Sequence, residues 1–422
     1  MNPCSGALVQ EKAEAAARHS YGKLVAFLAA RSGNVAAAED ALSDAFAAAL
    51  VDWPVKGCPE NPEAWLLTVA RRKLIDAARR RKNEAPADKF ELDVENLTEP
   101  VDEQEIPDRR LGLMFACAHP AIDVAIRAPL MLQAVLGLDA AQIASAFLMS
   151  PSAMGQRLVR AKTKIRQARI PLRIPDREEL PERLETVLDA IYAAFAEGWT
   201  DPAGTDVARR DLAEEAIYLC RLVTRLLPGE PEALGLLALM LYAEARRRAR
   251  RNAAGEFVAL AEQDVSLWDC ERIHEAEAAL LRASELGLIG RYQLEAAIQS
   301  AHVSRRRHGA ENWSAVVNLY DALFALTGSP VAAINRAVAI AEIDGATAAL
   351  AALNAVSAHP RIVDYQPYWA ARAEMLARTG ANQPARDAYE IAIGLERDPS
   401  VRQHLERKRA MLEHPPSLPV QS

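Results

Sequence analysis

The chain has 422 residues, a length that suits two to four folding units better than a single core. Alanine, leucine and arginine are abundant, only 5% of residues are aromatic and 25% are charged, a composition that favours helices because alanine and unbranched side chains lose least entropy in them. A net charge of −7 and a sequence pI near 5.8 exclude a protein that coats nucleic acid over its whole surface, so any such contact must be local.

The first patterned segment is Ala38-Glu39-Asp40-Ala41-Leu42-Ser43-Asp44-Ala45-Phe46, an acidic helix. A loop is predicted over Trp53–Cys58. A second helix then starts at Pro59-Glu60-Asn61-Pro62-Glu63-Ala64-Trp65. Asn61 caps it, Pro62 takes the first helical position where its missing N–H is not needed, and Glu63 meets the positive end of the dipole. Leu67, Ala70, Leu74 and Ala77 recur at three- and four-residue spacing and define its buried stripe. Seven of the twelve residues from Arg71 to Lys82 are basic: Arg71, Arg72, Lys73, Arg79, Arg80, Arg81 and Lys82. In isolation such a helix reads first as a solvated amphipathic surface.

From Asn83 to Asp108 the sign reverses, with ten acidic residues against the single Lys89, three prolines and no helical period, which predicts an extended acidic linker. Leu138–Arg169 then reads as helix, tight turn, helix. Ala140–Phe147 is the first helix, Met149-Ser150 the turn, and Ser150 caps a second helix with Pro151 at its first position. Met154, Leu158, Ala161 and Ile165 face the core, leaving Ser152, Gln156, Arg157, Arg160 and Lys164 outward. A helix-turn-helix needs this distribution: polar groups at the start of the recognition helix for base edges, cations further along for phosphates.

Prolines 171, 175 and 181 mark a further boundary, after which the chain is helical and mostly acidic. Within Trp369–Leu395, the residues Ala373, Leu376, Gly380, Ala385, Tyr389 and Ala392 fall where a tetratricopeptide (TPR) unit places its small and aromatic residues. Ala315–Leu326 and Pro330–Leu353 follow the same logic with irregular spacing, and Leu184–Met240 only loosely. Arg246–Arg251 holds five arginines in six residues and reads as a solvated helix end or a contact for an acidic surface or DNA.

Taken together, the acidic helix, the Trp53–Cys58 loop and the Trp65–Lys82 helix resemble region 2 of extracytoplasmic-function (ECF) sigma factors. The string Ser150-Pro151-Ser152-Ala153-Met154-Gly155-Gln156-Arg157-Leu158-Val159-Arg160-Ala161-Lys162 resembles sigma region 4.2, with Gly155 where many relatives carry lysine. The resemblance extends to the subgroup with a TPR-like C-terminal domain, through Leu111–Pro120, Phe195–Trp199, Leu234–Met240, Gln263–Trp268 and Ser329–Asp344.

It implies an all-α protein with region 2 over 1–84, an acidic linker over 85–107, helix-turn-helix region 4 over 108–173 and a TPR-like extension over 174–422. It further implies binding to the clamp and flap regions of core RNA polymerase, recognition and opening of the −10 promoter element, and recognition of the −35 element. Glu39, Asp40, Asp44 and Phe46 would face polymerase. Trp53, Lys56, Cys58, Asn61, Trp65, Arg71, Arg72, Arg79 and Arg80 would serve the −10 element, where a base leaves the stack and enters a pocket at a cost of a few kcal/mol. Trp65 either stacks on a base or packs in the core. Ser152, Gln156, Arg157, Arg160 and Lys164 would serve the −35 element. The extension would contact the sigma domains or another protein.

Two other readings stand beside this one: a conventional helix-turn-helix regulator with a TPR sensor, and a TPR scaffold that does not bind DNA. No enzyme and no cofactor are expected, since there is no phosphate loop, nucleophile elbow, HExxH or grouped His and carboxylate constellation. Cys4, Cys58, Cys117, Cys220 and Cys270 are scattered, predicting no disulfide and a reducing cytoplasm. Cys117 and His119 are spaced like ligands, but two ligands do not complete a zinc tetrahedron and no metal is expected. The residues after Met1 lack a basic segment and apolar run, and no eighteen uncharged apolar residues succeed one another, so neither export nor membrane insertion is expected.

Overall fold

The computed structural model describes residues 20–84, 109–147, 149–176, 178–199, 207–357 and 362–412. Regular structure within them is helical, and pairing of the β type is confined to one isolated antiparallel bridge between Arg251 and Phe257. The chain is all-α, as its composition predicts. The acidic stretch 85–107 lies outside the described residues.

Two compact units divide the chain. The first runs to Gly198 and adds Asp211–Leu226; the second takes Trp199–Arg210 and the chain from Leu227 onward. This division does not coincide with the boundary expected at 173/174. The prolines there interrupt helices without separating cores, because Gly112 seats the backbone of 172–173 so closely that a Cβ on it would lie 2.9 Å from the Leu172 carbonyl oxygen. Leu180–Trp199 is anchored by Arg183, which donates to the buried Phe115 carbonyl at 2.7 Å. Arg110 reaches Tyr218 on the next helix, Val207–Leu226, and its guanidinium lies over that ring.

In the first unit, a helix over 20–32 packs with Val35–Lys56 and Pro62–Glu84 around Leu24, Leu28, Leu42, Trp53, Leu66, Leu67 and Leu74. Local chemistry sets the ends. Gly33 adopts φ 64°, open to glycine without strain, and Asn34 then caps the second helix by accepting from the Ala37 N–H at 3.1 Å. Asn61 caps the third in the same way, accepting from the Ala64 N–H at 3.1 Å. Helices Arg110–Cys117, Val124–Leu136, Ala140–Ala146 and Pro151–Gln167 follow.

The second unit contains Pro231–Ala245, three short 3-10 segments between Arg247 and Leu267, then Cys270–Glu285, Arg291–His308, Trp313–Thr327, Pro330–Val356, Gln366–Arg378, Asn382–Leu395 and Pro399–Met411. Arg291–His308 packs chiefly on Pro231–Ala245, and from Trp313 onward each helix packs chiefly on its neighbours in sequence, as stacked helical repeats do. Of the positions singled out by spacing, Ala373, Ala385, Tyr389 and Ala392 are buried, Leu376 is half-buried and Gly380 is exposed at the turn, and the tyrosine hydroxyl donates to Glu374 at 3.0 Å. Pro330–Val356 is long and apolar enough to cross a membrane by length and composition. Its backbone breaks at Gly345 (φ 85°, ψ 169°), which leaves two helical pieces, each shorter than the ~20 residues a span requires.

Candidate nucleic-acid interface

The first basic helix, Pro62–Glu84, buries Leu66, Leu67, Ala70, Leu74 and Ala78. The stripe ends on Ala78 in place of the expected Ala77, because four-residue steps follow the 3.6-residue turn more closely over this length. Arg72, Lys73, Arg79 and Arg80 are exposed on the other side, and Lys73, Asp76, Arg79 and Arg80 line a shallow groove. Arg71 is half-buried. The side chains of Arg81 and Lys82 lie outside the described residues.

The loop ahead of this helix is shorter than expected. Helix Val35–Lys56 runs through Trp53, and Gly57, at φ 89°, ends it while donating to the Trp53 carbonyl at 3.0 Å. Trp53 is 2% exposed and meets Trp65 edge to face with ring centroids 5.5 Å apart. This gives Trp53 a packing role beneath the loop, since its indole offers no open face to a base. Lys56 and Asn61 are exposed, Cys58 and Trp65 half-buried. Leu50, Val51 and Val55 stand exposed beside the loop, an apolar surface that helical spacing alone did not reveal.

In the second segment, Asp139 and Gln142 form a reciprocal cap: the Asp139 carboxylate accepts from the Ala141 and Gln142 N–H groups at 2.8 Å, and Gln142 accepts from the Asp139 N–H at 2.9 Å. The helix stops at Ala146, one residue early, and Met149 donates back to the Ala144 carbonyl at 2.8 Å. Ser150 caps Pro151–Gln167 by accepting from Ala153 at 3.3 Å. Met154, Leu158, Ala161 and Ile165 are buried, whereas Ser152, Gln156, Arg157, Arg160 and Lys164 are exposed. The five outward residues therefore share one open surface on a helix that also carries Arg166. Nothing lies within 4 Å of a Cβ built at Gly155, so a side chain fits there.

On the acidic helix, Asp40 and Asp44 are exposed and Phe46 is half-buried. Glu39 differs. It pairs with Lys162 of the second basic segment, with side-chain exposures of 12% and 10%. Its second carboxylate oxygen is buried with no hydrogen-bond partner, and burial raises its pKa against the opposing pull of Lys162. This pair joins residues 123 apart in sequence, and spacing carried no sign of it.

Among the described residues no three His, Cys, Asp or Glu side chains are grouped to hold a metal. Cys117 is fully buried, which pushes its thiol up to about 12, and His119 accepts from the Ala121 N–H at 3.1 Å. The geometry offers cationic, polar and aromatic groups for binding an anionic chain.

Comparison with known proteins bears on the first segment. Residues 17–84 match the family Sigma-70 region 2, and residues 183–284 match a family of unknown function (DUF6596). The first segment is thus a sigma-70 region 2 domain, the mark of a sigma factor. The chain belongs to the same family as the uncharacterized protein R00370 of Rhizobium meliloti (strain 1021), to which it is 38% identical over 387 residues covering 90% of each chain. No solved structure matches it. The DUF6596 match straddles the two compact units, taking in Leu184–Gly198 and Asp211–Leu226 of the first and Pro231–Ala245 of the second.

Proposed function

We propose that this protein is an ECF-type sigma factor: it binds core RNA polymerase, opens the −10 element through its first segment and reads the −35 element through its second, without catalysing nucleotidyl transfer. The observation that carries the reading is the conjunction of a sigma-70 region 2 domain with a helix-turn-helix whose second helix holds Ser152, Gln156, Arg157, Arg160 and Lys164 outward. A conventional duplex-binding regulator has no use for the first of these. Asp40, Asp44 and Phe46 face polymerase in this reading. Lys56, Cys58, Asn61 and Trp65 receive the flipped base, with Arg71, Arg72, Arg79 and Arg80 on phosphates. Ser152, Gln156, Arg157, Arg160 and Lys164 serve the −35 element. The extension is TPR-like, and its stacked helices present a face to a protein partner or to the sigma segments. The site of action is the cytoplasm.

The test is run-off transcription with purified bacterial core polymerase on a promoter library. Promoter-specific transcripts that depend on the full chain are expected, and replacing Arg79 and Arg80 with alanine is expected to reduce open-complex formation at least tenfold, with weaker dependence on salt. Absence of both polymerase binding and transcripts would overturn the assignment and leave the regulator or the scaffold.

A further inference from the structure

The second unit holds a group of half-buried cations with no part in the DNA-reading surfaces. One face of the helix Arg291–His308 carries Gln299, His302, Arg305 and Arg306 at three- and four-residue steps. Arg246, at the end of Pro231–Ala245, crosses to this face, where its guanidinium donates to the Gln299 side-chain oxygen as well as to the Tyr242 carbonyl. Arg305 lies over the Trp313 ring at 4.0 Å, and His302 meets the same ring at 6.0 Å between centroids. Arg306 donates to the Gln263 carbonyl at 2.8 Å.

These cations lack counter-ions. The partners of Arg246 and Arg306 are neutral, and among the described residues the Arg305 guanidinium makes no hydrogen bond. The carboxylates of the region are engaged elsewhere: Glu342 is held by Arg378 at 2.7 Å, Glu244 by Arg247 at 2.6 Å and Asp398 by Arg251 at 2.9 Å. His302 Nδ1, Arg305 Nε and Arg306 Nε are buried without a hydrogen-bond partner. The guanidinium atoms are donors, and the imidazole nitrogen is one in the matching tautomer, so an acceptor fits between them. Burial, with Arg250 alongside, pulls the Arg246 pKa down to about 10, and burial lowers that of Arg305 with Arg306 acting in the same direction. A cation held out of water beside a second cation costs stability unless an anion joins it. Water fills hydrogen bonds at such a place but does not offset the charge.

Arginine presents a planar fork that matches phosphate oxygens, and a stacked ring fixes the plane of that fork. Arg305 lies six residues beyond Gln299, about 9 Å along the helix, a span that suits two linked phosphates better than one. We infer that Arg246, His302, Arg305 and Arg306 form a binding site for a small anion carrying a diphosphate. The site is separate from the DNA-reading residues and holds whether or not the chain acts as a sigma factor. An extended acidic peptide is the poorer occupant, because it needs a row of exposed cations and these are half-buried on one helical face.

The experiment titrates the full chain with inorganic pyrophosphate and with ADP at fixed ionic strength, by calorimetry. In parallel, NMR of isotope-labelled histidine follows the His302 ring, assigned by its loss in His302→Gln. Binding of at least one compound is expected, and the tighter of the two tells a free diphosphate from a nucleoside-linked one. The His302 signal should shift with occupancy. Arg246→Gln and Arg305→Gln should each weaken binding roughly ten- to hundredfold, the worth of a charged donor, while Arg248→Gln, an exposed neighbour, should leave it within about twofold. Without ligand, Arg305→Gln should melt no lower than the wild type, since it leaves no hydrogen-bond partner stranded. Pyrophosphate should raise the midpoint of the wild type and not of this variant. Absence of binding by both compounds overturns the site, as does a His302 signal that stays in place at saturation, or unchanged affinity in both arginine variants, or equal weakening by Arg248→Gln. A glutamate-rich peptide that binds as tightly as pyrophosphate also overturns it and marks an acidic protein partner instead. Should an arginine variant lose its helical circular dichroism, the His302 signal of the unaltered chain decides.

Discussion

His302 shows how burial alters a single titrating group. It lies on Arg291–His308 with its ring edge toward Trp313, at 6.0 Å between centroids, and Arg305 stacks on the same indole at 4.0 Å. Burial, reinforced by the Arg305 and Arg246 guanidiniums, lowers its pKa to about 4. The folded chain therefore keeps this imidazole neutral where the unfolded chain, with an ordinary value near 6.5, takes up a proton. The unfolded state binds more protons across this window, so the contribution to stability is intact at neutral pH and is lost as pH falls from about 6.5 toward 4. Between pH 7 and pH 5 the loss from this residue is about 2 kcal/mol. Urea unfolding of the wild type and of His302→Gln at the two pH values checks this: the wild type should lose that increment and the variant should not.

At the scale of one element, the helix Pro151–Gln167 keeps its apolar and its cationic residues on separate faces, which under the proposed function separates stability from binding. Leu158 is 1% exposed, and Leu158→Ala should destabilise the first unit by about 2–5 kcal/mol through lost burial and a residual cavity. Ser150→Ala should cost about 1 kcal/mol by removing the cap. Arg160 stands exposed on the opposite side, its Nε donating to the Gln156 carbonyl at 3.3 Å. Arg160→Ala should change stability by no more than about 0.5 kcal/mol while lowering the salt slope of DNA binding by about one. Thermal melts and a salt titration of promoter binding read both quantities, and a large loss of stability from Arg160→Ala would show that the helix is seated differently.

For the whole molecule, the compact units predict where the chain can be cut. A fragment ending at 173 removes Arg183 from the Phe115 carbonyl and strips away Leu184, Val187, Leu188 and Ile191, all buried in the first unit. That fragment should unfold at lower urea concentration than one ending at Leu226, which keeps these contacts. Equal midpoints would mean that the helices from Leu180 to Leu226 ride on the first unit without supporting it.

Local order along the chain was enough to establish the all-α class, the Asn61 and Ser150 caps and the 154-158-161-165 stripe with the outward cations between its members. Each depends on neighbours within one or two helical turns, where spacing and backbone chemistry decide the outcome. Hydrophobic period also marked the small and aromatic positions of 366–395. It did not show that Trp53 is interior, because a tryptophan at a helix end looks the same whether it packs or stacks. Nor did it show that Glu39 is covered or that the core continues past the prolines to Leu226. Those outcomes depend on which surfaces meet across more than a hundred residues of chain, and a charge pattern names the sign of a partner without naming its position. The sequence by itself determined the helices and the chemistry each could offer; only the tertiary structure decided which of those groups remain open, since exposure is a property of packed helices and not of any one of them.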